Sequence, residues 1–389
     1  MYKFLQSIPD KLARVTSGRK LISEIDGLRF FAILPVLIQH LNERFERNTT
    51  IDFIHPKADT FAYFLAYRGF LGVYIFFVIS GFILALPFAS YHLASGKKIG
   101  IRQYFWRRLT RLEPPYIFWI SIFFLVYVFQ RHVSFFEYLP HYFANITYTH
   151  AIFYGVWSPF NPPTWTLEIE IQFYILAPFL SYLFFKIPKK GIRRGLNIGF
   201  ILVLMLLQQY FKWYLPPFSL SILGHLHYFL IGFMLADLYI CDWASIKKSK
   251  FYDIVAVLAL AGLIGLWSWG FEFINRLAVV ICLFVFFIAA FKGNLINRLI
   301  TNRWVMAIGG MCYTIYLIHL PFAEFFIRLS KYVTFTRDYT INLLLQLALF
   351  LPVVLALSAV FFLCFEKPFM DKDWPSRVAQ RVSSIWKRQ

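Results

Sequence analysis

The sequence predicts an all-α, polytopic membrane protein of about ten transmembrane helices with both termini cytoplasmic. Three observations predict it. Of the 389 residues, 59% are hydrophobic and 21% aromatic, and only 15% are charged. A soluble domain averages about 25% charged residues and cannot hide this much apolar surface. Second, apolar runs long enough to cross a bilayer recur near 27–45, 68–90, 113–130, 164–186, 196–213, 220–240, 252–270, 274–291, 303–328 and 340–365. Third, most of the 39 Lys and Arg residues fall in alternate segments, 1–26, 91–112, 186–195, 241–251, 292–303 and 366–389. The positive-inside rule then puts both termini in the cytoplasm. Topology and anionic headgroups account for most of the +19 charge, so nucleic-acid binding is not needed to explain it.

The chain divides into a cytoplasmic segment 1–26, a membrane domain 27–366 and a basic cytoplasmic tail 367–389. Met1–Ile22 lacks the apolar core and small-residue cleavage site of a signal peptide. Span 274–291 is short, and 139–157 is aromatic enough to be a re-entrant or interfacial piece. Cys241, Cys282, Cys312 and Cys364 fit neither a zinc site nor a disulfide framework and read as small packing residues.

The first span, EIDGLRFFAILPVLIQH from Glu24 to His40, carries Arg29 and His40 eleven residues apart. That is about three helical turns, so both side chains share one face about 16 Å apart. A guanidinium and an imidazole on one stripe are costly in lipid unless the stripe lines a cavity or a protein interior. A snorkelling arginine and a packed histidine are the plain alternative. The orientation puts Arg29 near the cytoplasmic side and His40 toward the outer half. Such a helix suits a protein that brings a cytoplasmic donor to a centre open to the other side.

In the second span, Ser80-Gly81 lies at mid-helix, where glycine permits close approach of a helix or a ligand. The run RQYFWRRLTRLEPPY follows, with Arg102, Arg107, Arg108 and Arg111. Arg108 and Arg111 share a helical face and suit a phosphorylated ligand by bidentate hydrogen bonds, or else anchor lipid phosphates. His132, His141 and His150 recur every nine residues in the outer segment and read as interfacial, solvated histidines. The fourth span opens NPPTWTLEIEIQFY, with Pro162-Pro163 as a helix start. Glu168 and Glu170 point to different faces, so one of the two is available to orient a histidine as a general base. Trp165, Gln172 and Tyr174 extend a polar–aromatic band beside them. His319 in YTIYLIH is a second pocket histidine or a packing residue, and packing is the expected role.

IDGLRFFAILPVLIQH, FFVISGF, RRLTR, PTWTLEIEIQFY, YTIYLIH and FEKPF occur in the order that resembles the acyltransferase-3 family of membrane acyltransferases, across residues 24–370. The resemblance implies ten membrane helices and transfer of an acyl group, usually acetyl, from cytoplasmic acyl-CoA to a glycan hydroxyl. Acetyl-CoA would be a co-substrate, with no permanently bound cofactor and no metal. The partners it implies are acyl-CoA, a glycan or glycolipid acceptor such as lipopolysaccharide O-antigen or exopolysaccharide, and membrane lipids, with the cell inner membrane as location. By position, His40 resembles the family's essential histidine, Glu170 its glutamate and Arg29 its partner arginine. Arg108 and Arg111 match its paired cytoplasmic arginines. Ser80 joins the expected acyl-CoA site, and Trp165, Glu168, Gln172, Tyr174 and His319 the expected pocket. Glu168 stands where the family usually has a small residue, and Ile171 where a second acidic residue is common. The short segment after FEKPF implies a form without the hydrolase-like domain of many relatives. A transporter or flippase for an anionic or glycan substrate, lined by Arg29, His40 and Glu170, is the alternative. No repeated half and no paired broken helices support it.

Overall fold

The computed structural model of the chain describes residues 8–15, 22–371 and 374–377. The rest of the expected terminal segments, 1–7, 16–21, 372–373 and 378–389, lies outside the described residues. Helix is the regular structure throughout, with no strand among the described residues. The ten long helices are α1 (Ser23–Asn48), α2 (Leu71–Leu93), α3 (Ile101–Arg131), α4 (Trp165–Phe185), α5 (Lys190–Tyr210), α6 (Ile222–Cys241), α7 (Phe251–Leu266), α8 (Phe273–Lys292), α9 (Cys312–Ser330) and α10 (Tyr339–Phe361).

Nine of the ten expected spans each fall on one of these helices, and the remaining one, 303–328, covers the separate helix Arg303–Gly310 together with α9. Among the described residues, seven helices are long and apolar enough to cross a membrane. An eighth is reached if Arg303–Gly310 and α9, which meet at a 67° bend, count as one broken span. The shortfall from ten has two physical causes. At 16 residues, α7 spans only about 24 Å, less than the hydrocarbon core of roughly 30 Å. α1 has the length, but Asp26, Arg29, Gln39, His40 and Asn42 interrupt its apolar run. The protein shields α1 instead, packing it against α2, α9, α10 and Arg303–Gly310.

Without a hydrophobic drive between helices in lipid, close packing of backbones holds such a bundle together. At Gly81 of α2, a Cβ would lie 2.1 Å from the Phe229 carbonyl oxygen of α6, so only glycine fits there. Gly81 is therefore a helix-packing notch. Phe229 itself stacks on Phe173 of α4 and Phe77 of α2, with ring centres 4.0 and 4.8 Å away. The aromatic stretch between α3 and α4 forms two short helices, Phe135–Ile146 and His150–Tyr154. All four cysteines are free thiols, with Cys241 and Cys364 exposed and the other two partly buried.

Candidate active site

The site grows from α1. At its middle, His40 Nδ1 lies 2.7 Å from His319 Nε2 of α9. His319 Nδ1 in turn lies 2.7 Å from the Tyr316 carbonyl oxygen and 3.2 Å from that of Ile315. Carbonyl oxygens only accept, so His319 carries its proton on Nδ1 and offers Nε2 as an acceptor. His40 must then donate from Nδ1, which leaves the lone pair on its Nε2 uncommitted. His319 is fully buried and His40 only partly so. The expected packing role of His319 gives way to this hydrogen bond.

The turn that holds His319 is fastened to the start of α4. Asn161 Nδ2 donates to the Leu317 carbonyl at 2.9 Å, and the Tyr316 hydroxyl donates to the Pro163 carbonyl. Thr166 Oγ1 lies 2.7 Å from the same hydroxyl. The segments NPPTWT and YTIYLIH, far apart in the chain, thus form one rigid support beneath His40.

Neither glutamate orients His40, which corrects the expected arrangement. Glu170 Oε1 accepts from Ser80 Oγ at 2.6 Å and from the Tyr174 hydroxyl at 2.7 Å. Buried Glu168 instead accepts the Ala151 N–H at 2.8 Å, fixing the start of helix His150–Tyr154. The reason is positional: both carboxylates find donors close at hand, and His40 Nδ1 is already taken by His319. Gln172 caps α6, accepting the Ile222 N–H at 2.9 Å. Trp165 stacks on Phe70 with ring centres 5.8 Å apart and faces His225 at 5.5 Å, on the α2–α6 side.

A cluster of cations gathers around the first turns of α1. Arg29 pairs with Asp26 at 2.6 Å, and Arg14 approaches the same carboxylate oxygen at 3.4 Å. Arg111 comes within 4.0 Å of Glu366, whose other oxygen accepts the Thr314 N–H at 3.1 Å and hydroxyl at 2.6 Å. Burial, and then the like charges of Arg29 and Arg111, push the Arg14 guanidinium down to about 9. Arg108 does not share this cluster's carboxylates. It lies over the Tyr104 ring at 3.7 Å, donates to the Tyr104 carbonyl at 2.8 Å, and faces Tyr174 at 5.5 Å. The expected Arg108–Arg111 pair therefore opens out, one arginine toward the Glu170–Tyr174 group and one toward Glu366.

Sequence reasoning passed over Arg14, Asp26 and Glu366. Asp26 and Glu366 stand inside the quoted IDGLRF and FEKPF, and the i,i+3 spacing of Asp26 and Arg29 was a usable signal. Arg14 had none. Of the outer histidines, His132 is exposed, as expected. His141 and His150 are instead paired at 2.9 Å, with Tyr154 stacked against both rings. Burial, followed by the neighbouring His141, lowers His150 to about 4.

An all-helical membrane bundle with a paired histidine at mid-helix and a guanidinium cluster at the end of the same helix is the class defined so far. The chain belongs to the acyltransferase-3 family, whose model, described as an acyltransferase domain, matches residues 22–363. It is similar to the O-acetyltransferase OatA of Staphylococcus aureus, with 26% identity over 337 residues, covering 77% of this chain and 50% of the relative. It is also similar to the peptidoglycan O-acetyltransferase OatA of Listeria monocytogenes, with 27% identity over 182 residues, 43% of this chain and 25% of that protein. The chain thus spans about half the length, or less, of these curated relatives. No solved structure matches it.

Proposed function

We propose that this protein is a membrane O-acetyltransferase that moves an acetyl group from acetyl-CoA to a hydroxyl of a cell-surface or secreted glycan. The observation that carries the reading is the uncommitted Nε2 of His40, held in that tautomer by His319. It stands on the helix whose first turns carry Arg29 beside Arg14 and Arg111. A thioester donor with its phosphates on the guanidinium cluster has its reactive end directed along α1 toward His40.

His40 Nε2 takes the proton of the acceptor hydroxyl as that oxygen attacks the thioester carbonyl carbon. A new C–O bond forms, the C–S bond breaks, and the thiolate leaves with the proton returned by the imidazolium. His319 acts through His40, accepting its Nδ1–H and favouring the positive charge that develops. Glu170 supports the donor side, where it fixes Ser80 and Tyr174 beside Arg108. Both ends of the chain lie in the cytoplasm of a cell membrane on this reading, with the acceptor arriving from the opposite side. The name of the Listeria monocytogenes relative, a peptidoglycan O-acetyltransferase, favours a cell-wall glycan as the acceptor class.

Release of CoA from acetyl-CoA by the purified protein, with and without cell-wall glycan, tests the reading. Glycan-stimulated release that is lost in His40→Ala is the expected result. Binding of glycan with no CoA release, unchanged by His40→Ala, would overturn it in favour of a transport protein.

A further inference from the structure

Arg14 lies outside every motif quoted for this chain, yet the fold delivers it to the cation cluster. Segment 8–15 is docked beneath the membrane bundle. Leu12 is buried in the same apolar cluster as Met311 and Met370. Asp10 pairs with Arg303 at 2.8 Å, and Lys367 Nζ donates to the Lys11 carbonyl. The segment also runs past Gly310, where a built Cβ would meet Arg14 and the Leu12 carbonyl at ordinary contact distance.

The local charge balance is uneven. Arg14 and Arg29 share one oxygen of Asp26, at 3.4 Å and 2.6 Å. Arg111 has Glu366 only at 4.0 Å, beyond hydrogen-bond distance, and Glu366 spends its other oxygen on Thr314. Three guanidiniums thus face two carboxylates. Arg14 Nε, Arg111 Nε and Glu366 Oε1 are buried atoms without a hydrogen-bond partner. A buried N–H left without an acceptor is costly. Here donors remain over, on side chains that keep 12%, 16% and 32% of their surface open for Arg14, Arg29 and Arg111. A multiply charged anion with several acceptor oxygens completes this arrangement.

We propose that Arg14 is a binding residue for the acyl donor, closing with Arg29 and Arg111 a clamp on the phosphate groups of acyl-CoA. The proposal rests on the donor named under the proposed function. It adds a ligand from a segment that precedes the membrane domain and makes the docked stretch 8–15 one wall of the donor site.

Titration of coenzyme A and of pantetheine, which lacks every phosphate, into the full chain in detergent separates the cases. Arg14→Gln is expected to weaken coenzyme A about ten- to a hundredfold, to flatten its salt dependence and to leave pantetheine unchanged. Arg14→Lys, which keeps the charge but loses the fork, recovers part of the loss. Equal weakening of both ligands in Arg14→Gln would make Arg14 a structural residue and overturn the proposal. Unchanged coenzyme A binding in Arg14→Gln, with a loss in Arg111→Gln, would overturn Arg14 and leave the donor assignment standing. Failure of the wild-type protein to bind coenzyme A at all would overturn both.

Discussion

Gly309 packs onto Asp26 so closely that a Cβ built on it would lie 1.7 Å from the Asp26 carbonyl oxygen and 3.0 Å from the Phe30 nitrogen. This contact presses Arg303–Gly310 against α1 at the turn that also holds Arg29. Gly309→Ala is therefore expected to push the two helices apart and cost about 1–3 kcal/mol and, on the acetyl-transfer reading, to lower donor affinity as Asp26 shifts. Gly199 of α5 has nothing within 4 Å of a built Cβ, so Gly199→Ala is the control. It is expected to leave the stability unchanged or raised by up to about 1 kcal/mol. Thermal melting of both variants in one detergent checks the pair, and equal stability would contradict the packing argument.

His319 is expected to affect turnover rather than substrate affinity. His319→Ala removes the acceptor of the His40 Nδ1–H and frees the ring to rotate or change tautomer. On the acetyl-transfer reading, kcat falls about 10²-fold or more while KM for acetyl-CoA stays near its wild-type value. His319→Gln offers an amide oxygen near the same place and recovers part of kcat. A rise in KM with kcat intact would instead make His319 a binding or packing residue.

Much of the fold was legible because the bilayer sets the lengths of apolar runs: nine expected spans coincide with single helices and one, 303–328, with a bent pair. The departures lie where that signal is weak. α7 is too short to cross unaided, and α1 carries polar groups that tertiary contacts shield. At the site, the candidate histidine was visible from its spacing to Arg29, but its partner was not. His40 and His319 are 279 residues apart, and no local pattern encodes which buried group reaches an imidazole. Glu170 was a chemically reasonable partner, yet Ser80 and Tyr174 are nearer donors for its carboxylate. Arg14 sits in a short polar stretch without periodicity, so only the fold reveals where it points.

The paired histidines between α3 and α4 predict a pH response separate from catalysis. His150, lowered to about 4 by burial, stays neutral in the folded pair down to acidic pH. Once unfolded, it takes up a proton near its ordinary value of about 6.5. Between these values the unfolded segment binds more protons, so its stability is lost as pH falls from about 6.5 toward 4 and is flat below. His141, lowered chiefly by burial, acts in the same direction. Hydrogen exchange over 141–154, corrected for intrinsic rate, is expected to lose protection across that window. His150→Gln, which cannot ionise, flattens the response, and an unchanged slope in that variant would exclude the pair as its origin.

The hairpin of α5 and α6 rests on a buried charge, and breaking it from one side should cost more than removing it whole. Arg193 and Asp237 are 1% and 0% exposed, and the arginine Nε donates to the carboxylate. Arg194 Nε donates to the other oxygen of Asp237 at 2.6 Å, and Arg194 also pairs with Asp242. Arg193 Nη1 is held by the Ile187 carbonyl at 2.6 Å. Asp237→Asn keeps the shape but leaves the Arg193 charge buried without its counter-ion, which costs about 3–5 kcal/mol. Arg193→Met is milder, because Arg194 still neutralises Asp237. In the double variant Arg193→Met/Asp237→Asn no buried charge from the pair remains, and its loss is expected to be smaller than that of Asp237→Asn alone. Melting curves of the three variants decide the matter. Losses that simply add would mean that the pair contributes little as a pair and that each side chain acts through its own packing.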